Sequence, residues 1–242
     1  MRQRLQKLMS AAGHCSRRQA EQLLRQGRVE VNGTIAGLGD QADPETDLIC
    51  VDGTPLAKGA ADRVLLLNKP PGVISSCHDP QGRDTVLDLI PSELRRGLHP
   101  VGRLDADSRG ALLLSNQGEL TLKLTHPRYA HSKTYRVTVT GTPDPTTLER
   151  WSQGVELDGS RTLPACVRLL RSEPGQSTLE VILREGRNRQ IRRIASLLGH
   201  SVIDLQRVAI GGLALGSMAE GCWRELSRQE WRSLISSQAG EA

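Results

Sequence analysis

Apolar residues recur near the start of the chain at helical spacing. Leu5, Leu8, Met9 and Ala12 stand at i, i+3, i+4 and i+7, predicting a helix that Gly13 can end. Ser16 then opens a second helix, with Gln19 three residues on to complete a capping box. Ala20, Leu23 and Leu24 form its apolar stripe, Gly27 stops it, and Arg18 and Arg25 fall on another face, two turns apart. Val29 and Val31 alternate with Arg28 and Glu30, and Asn32-Gly33 predicts a hairpin turn. A further short strand fits 48–51, before the turn Asp52-Gly53.

The pattern changes after a linker-like stretch, Lys58-Gly59-Ala60-Ala61-Asp62. A buried strand is expected over 64–67, followed by a non-helical turn where Pro70, Pro71 and Gly72 crowd together. Residues 101–116 read as a polar loop and then an apolar run from Ala111 to Leu114. Period-two alternation marks 134–140, with Tyr135, Val137 and Val139 on one face, and again Leu179, Val181 and Leu183. A helix fits 189–198 through Ile191, Ile194, Ala195 and Leu198, closed by Gly199. A last helix starts at Ser227, capped by Glu230, with Trp231, Leu234 and Ile235 facing inward. Strands outnumber helices and no βαβ rhythm appears, so the expected class is α+β. A small helical and hairpin unit over 1–60 is followed by a mixed, largely antiparallel sheet domain over 61–242.

Charge sharpens this division. Residues 1–33 hold Arg2, Arg4, Lys7, Arg17, Arg18, Arg25 and Arg28 against Glu21 and Glu30, so the chain's net charge of +5 resides in this head and the remainder balances. A concentrated basic head fits a nucleic-acid contact, although a solvated face is the commoner meaning of a charge run alone. Two tyrosines, three tryptophans and no phenylalanine leave few stacking platforms, which favours recognition of RNA shape and phosphates over unstructured strands. Five scattered cysteines without a Cys-x-x-Cys pair argue against a disulfide framework and for a reducing, cytoplasmic setting. No apolar run has the length of a membrane span, and no signal-peptide core follows Met1.

Candidate chemistry narrows by exclusion. The six histidines lack close ligand spacing, so no metal site is expected. Neither a phosphate loop nor a Gly-x-Ser-x-Gly elbow occurs, and no cofactor is implied. Two features remain. Asp105 follows Arg103 in a loop before an apolar strand, where an aspartate is usually structural. Asp105 and Asp107 together could hold magnesium in a nuclease. Arg184 to Arg193 carries five arginines around Glu185, readable as an exposed helix face or a phosphate-binding strip.

Taken in order, the motifs carry a resemblance. Arg4-Leu5-Gln6-Lys7, Gly13, Ser16-Arg17-Arg18, Glu21, Gly27-Arg28-Val29 and Val31-Asn32-Gly33 resemble the αL-type RNA-binding domain. Lys69-Pro70-Pro71-Gly72-Val73, Pro100-Val101-Gly102-Arg103-Leu104-Asp105, Lys133-Thr134-Tyr135 and the stretch Glu185 to Arg193 resemble the ribosomal-RNA pseudouridine synthases of the RsuA/RluB group. Together they span nearly the whole chain. Ser108, Ala111, Ser115 and Gln117 depart from the usual Thr, Leu, Thr and Asp. The resemblance implies a cofactor-free isomerase with Asp105 as the essential aspartate, Tyr135 packing on the target uracil and Arg192 pairing with Asp105. Arg103 would fill the space left by the flipped base. RNA contacts are expected from Arg4, Lys7, Ser16, Arg17, Arg18, Arg25, Arg28, Lys69, Arg103, Lys133, Arg187, Asn188 and Arg189. The expected partner is ribosomal RNA of the large subunit or an assembly intermediate, with no membrane and a monomeric chain. The alternative from another class is a non-catalytic RNA-binding assembly factor with the same fold.

Overall fold

The structure is a computed structural model that describes residues 1–57, 59 and 61–236. Lys58 and Ala60 of the expected linker lie outside the described residues.

The head folds on its apolar stripes. Helix Leu5–Ala11 packs Leu5, Leu8 and Met9 against Ala20 and Leu24 of helix Arg17–Arg25 and against Val29, Ile49 and Val51 of a small sheet. Ser16 Oγ accepts from the Gln19 amide at 3.2 Å, and Gln19 Oε1 accepts from the Ser16 amide at 3.0 Å, completing the capping box. The sheet runs Thr34–Ile35, Val29–Val31, Ile49–Val51, Thr54–Pro55, with antiparallel neighbours. Asn32 and Gly33 both take positive φ, as a two-residue hairpin turn requires.

Among the described residues, beside the small pair Glu156–Leu157 and Ser160–Arg161, the larger unit builds a nine-stranded sheet. Its path is Cys166–Glu173, Gln176–Leu183, Lys133–Thr140, Val202–Ile210, Arg109–Ser115, Val64–Lys69 and Trp223–Glu225, with Leu213–Ala214 and His99–Val101 paired alongside. Pairing is antiparallel except between Val202–Ile210 and Arg109–Ser115. The two sequence patterns have a common cause. Val64–Lys69 and Arg109–Ser115 are covered on both faces. Val64, Leu66, Ala111 and Leu113 enter one core, and Leu65, Leu67, Leu112 and Leu114 enter another. Continuous apolar runs suit such strands. Val137, Val139, Leu179 and Val181 instead send one face to a third core beneath helix Gln190–Leu197, which explains their alternation. The last helix, Arg228–Ser236, seats Leu234 and its neighbours Trp231 and Ile235 on the first of these cores.

One expectation needs correction, and four elements were not foreseen. The first strand continues through Asn68 and Lys69, paired with Ala111 and Gly110, because the prolines come only after it. Strands Cys166–Glu173 and Val202–Ile210 and helices Gly118–Thr125 and Pro145–Gln153 carry no sequence prediction. In the second of these strands, Asp204, Gln206 and Arg207 interrupt the apolar pattern although the strand lies inside the sheet.

Candidate active site

The loop between strands His99–Val101 and Arg109–Ser115 presents Asp105, and nearly every neighbour of Asp105 is tied down. Ser75 Oγ donates to the Leu104 carbonyl at 2.9 Å and accepts from the Leu104 amide at 3.1 Å. The Gly72 amide donates to the Ala106 carbonyl at 2.7 Å. Lys69 is completely buried, and its ammonium donates to the carbonyls of Pro70 and Ser108 at 2.8 Å and of Ala106 at 3.3 Å. Burial pushes Lys69 down to about 8, opposed by nearby Asp107 and Asp105. From the other side, Arg192 Nη2 donates to the Asp107 carbonyl at 2.9 Å and to Ser108 Oγ at 3.3 Å. Asp105 is left with a side chain one-third exposed, at 33%.

Two expected roles change here. Lys69 is an internal strut rather than an RNA contact, because its ammonium is spent on three carbonyls. The expected pair between Arg192 and Asp105 is absent: Arg192 meets Asp107, with Nε 3.4 Å from Oδ2. Arg189 is the cation near Asp105, at 3.7 Å, and it also grips Asp107 at 2.9 and 3.2 Å. These bonds from Arg189, with Arg192 alongside, hold Asp107 below the usual carboxylate range. Arg189 itself takes a left-handed φ of 48°, which brings its guanidinium back over the loop at the entry to helix Gln190–Leu197.

Asp105 opens into a cleft of about 900 Å³, which it shares with Arg103, Lys133, Tyr135, Arg187, Asn188 and Arg189. Arg192 supports the loop without lining the cleft. Tyr135 is half-buried and packs against two of the cores, so its core role and its place in the cleft coexist. Arg187 is a further correction. Its guanidinium bonds Glu185, the carbonyls of Leu157, Ser160 and Arg161, and Ser160 Oγ, pinning one wall of the cleft. Asn188 and Arg103 are exposed at the rim. Ser75 and Arg207 also line the cleft, and no sequence signal marks either. Ser75 is one serine among many, and Arg207 stands in an undetected strand.

The head presents a different surface. Lys7, Arg17, Arg18 and Arg25 are exposed and form no ion pair with a described residue. Arg28 is already held by Asp52 at 2.6 and 2.7 Å, Arg4 bonds the Gly39 carbonyl, and the Ser16 hydroxyl caps its helix. Arg96 Nε donates to the Ala12 carbonyl at 2.8 Å, tying the end of the first helix to the larger unit. Among the described residues, no three His, Cys, Asp or Glu side chains are grouped to hold a metal ion, and no helix is long and apolar enough to cross a membrane.

Comparison with known proteins gives this geometry its context. The family described as RNA pseudouridylate synthase matches residues 63–197, and the S4 domain matches residues 3–55. An uncharacterized RNA pseudouridine synthase of Aquifex aeolicus is 40% identical over 97% of this chain and 94% of its own length. Ribosomal large subunit pseudouridine synthase B of Bacillus subtilis is 38% identical over 96% of this chain and 95% of its own, and the Vibrio cholerae protein of that name is 36% identical over 95% and 73%. A crystal structure of a pseudouridylate synthase superposes with a TM-score of 0.71 at 30% identity, covering 96% of this chain and 99% of the other.

Proposed function

This chain belongs to the RNA pseudouridine synthase family, and from that membership we propose that it isomerises a uridine of large-subunit ribosomal RNA, with Asp105 as its catalytic residue. The choice of RNA is supported by the likeness to the Bacillus subtilis and Vibrio cholerae large-subunit enzymes along almost the whole chain. The observation that carries the role of Asp105 is its setting. It is a partly exposed carboxylate on an otherwise immobilised loop, opening into a cleft beside Tyr135.

The reaction moves the base from N1 to C5 without redox change. The uridine must first leave its stack, at a cost of roughly a few kcal/mol, to enter an enclosing site. Asp105 then attacks the anomeric carbon or takes a nearby ribose proton. A loop fixed by Lys69, Ser75 and Arg192 keeps that carboxylate at one position, so little orientation is lost as the sugar arrives. Tyr135 offers its ring to the uracil face. Arg189 balances the charge of Asp105 at the rim. Residues 1–60 form the RNA-docking unit in this proposal, residues 61–242 form the catalytic unit, and the setting is the cytoplasm.

The test is pseudouridine mapping on ribosomal RNA from a strain lacking the gene, treated with wild type or Asp105→Asn. Wild type is expected to modify large-subunit RNA. The variant is expected to lose roughly 10⁴-fold or more in rate while binding RNA within about threefold of wild type. Full activity of Asp105→Asn would sink the assignment. RNA binding without any product from wild type would favour the assembly-factor alternative.

A further inference from the structure

The floor of the cleft carries two cations that the chemistry at Asp105 leaves without a task. Lys133 and Tyr135 are two residues apart on one strand and so share a face, and Tyr135 stands opposite Arg207 on the neighbouring strand. All three line the cleft. Arg207 is 4% exposed; its Nε donates to the Ala111 carbonyl at 2.6 Å, and its Nη2 is buried with no acceptor among the described residues. Lys133 Nζ donates to the His131 carbonyl at 3.1 Å. Neither cation has a carboxylate at ion-pair distance among the described residues. The carboxylates of the cleft are engaged elsewhere, Asp79 with Arg83, Glu185 with Arg187 and Gln190, and Asp105 near Arg189.

A buried charged donor with no acceptor is costly, and Arg207 lines the cleft, so its unmet donor suggests an acceptor carried by the ligand. We propose that Arg207, assisted by Lys133, binds a carbonyl oxygen of the target uracil and holds the negative charge the base acquires when it separates from the sugar. This rests on the reading of the cleft as the uridine site. Guanidinium and ammonium groups are donors only, and they match the carbonyl oxygens of uracil. Burial argues for the base over a phosphate, since Arg207 is 4% exposed beside Tyr135 while Arg103 is exposed. In the reaction the N1–C1′ bond breaks and its electron pair stays on the base, spread over N1, O2 and O4. C1′ then bonds C5, C5 loses its proton, and N1 gains one, so nothing is oxidised or reduced. Preorganised donors at O2 or O4 stabilise the charge at the moment it forms.

The experiment uses transcribed RNA carrying uridine, 2-thiouridine or 4-thiouridine at the mapped position, sulfur being the weaker acceptor. Single-turnover conversion is followed by tritium release from C5 for wild type, Arg207→Gln, Arg207→Lys and Lys133→Gln. Arg207→Gln is expected to slow uridine conversion about 10²- to 10³-fold with RNA affinity nearly unchanged, and Arg207→Lys to restore part of it. One of the two thio substitutions should slow wild type yet add no further loss to Arg207→Gln, as expected when both changes remove one contact. Equal thio effects in wild type and variant at both positions would overturn the proposal, as would an Arg207→Gln defect confined to affinity and salt dependence. Should Arg207→Gln lose its cooperative thermal transition, Lys133→Gln carries the same comparison. Failure of the Asp105 reading registers separately, as undiminished tritium release by Asp105→Asn on plain uridine.

Discussion

Two arginine-rich segments look alike in sequence and differ in what surrounds them. In the head, Arg17, Arg18 and Arg25 stand on exposed positions of one helix and its entry, with no ion pair among the described residues. Around the cleft, Arg187 binds three carbonyls, Arg189 and Arg192 converge on Asp107, and Arg193 holds Asp158 at 2.6 and 2.9 Å. The head cations keep their water and are available to phosphates. These four arginines around the cleft are held by fixed protein acceptors, so they act as internal wiring even where, as at Arg189, the side chain stays partly exposed. A run of arginines is therefore neither an RNA contact nor a scaffold until the acceptors brought to it are known.

Variants of the wiring should separate the two regions most sharply. Asp107→Asn removes the charge that anchors Arg189 and Arg192, and the turnover of bound RNA is expected to fall roughly 10²-fold from misplacement of Asp105. RNA affinity should hold; a loss of affinity with an unchanged rate would make the cleft arginines phosphate contacts and dissolve the contrast. Lys69→Met leaves three carbonyls without their donor and is expected to cost about 2 kcal/mol of stability, read from urea unfolding. This change also carries a pH signature. Folding lowers Lys69 from its ordinary 10.5 to about 8, so between those values the unfolded chain binds more protons than the folded one. Stability therefore gains a contribution as pH rises from about 8 to about 10.5, and Lys69→Met should lack that contribution. The smallest effect belongs to the head. Replacing Arg17, Arg18 and Arg25 together by Gln is expected to weaken binding on the order of tenfold and to reduce the log–log salt slope by about three. Conversion of saturated enzyme should be unchanged, and an unaltered salt slope would remove these residues from the interface.

Local rules made much of this legible in advance. The capping boxes at Ser16 and Ser227, the Asn32-Gly33 turn and the helix before Gly199 depend on neighbours within a few residues, and each stands in the structure. Resemblance marked Asp105 and Tyr135 as site residues, and they line one cleft. What stayed hidden depends on distant partners. Val202–Ile210 escaped because Asp204, Gln206 and Arg207 break its apolar alternation, with Arg207 buried while Ile203 is exposed. The burial of Lys69, expected as an RNA contact, stayed hidden because its acceptors Ala106 and Ser108 lie on a loop that only the tertiary fold brings to it. The same limit misdirected Arg192, whose choice between Asp105 and Asp107 is decided by loop shape rather than by sequence spacing.

The one parallel pairing in the large sheet among the described residues joins segments far apart in the chain. Strand Val202–Ile210 lies against Arg109–Ser115, and Gly110 sits so close that an added Cβ would come 2.2 Å from the Arg207 carbonyl oxygen. Arg207 and Ala111, bonded across that junction, are 96 residues apart in the chain. A ribosome making this protein extrudes the Asp105 loop long before its floor exists. Closing so long a loop is slow relative to local pairing, so the cleft is expected to form late in folding, after the head has closed its own small core. On the proposed function, the nascent chain would gain its RNA-docking surface before its catalytic one.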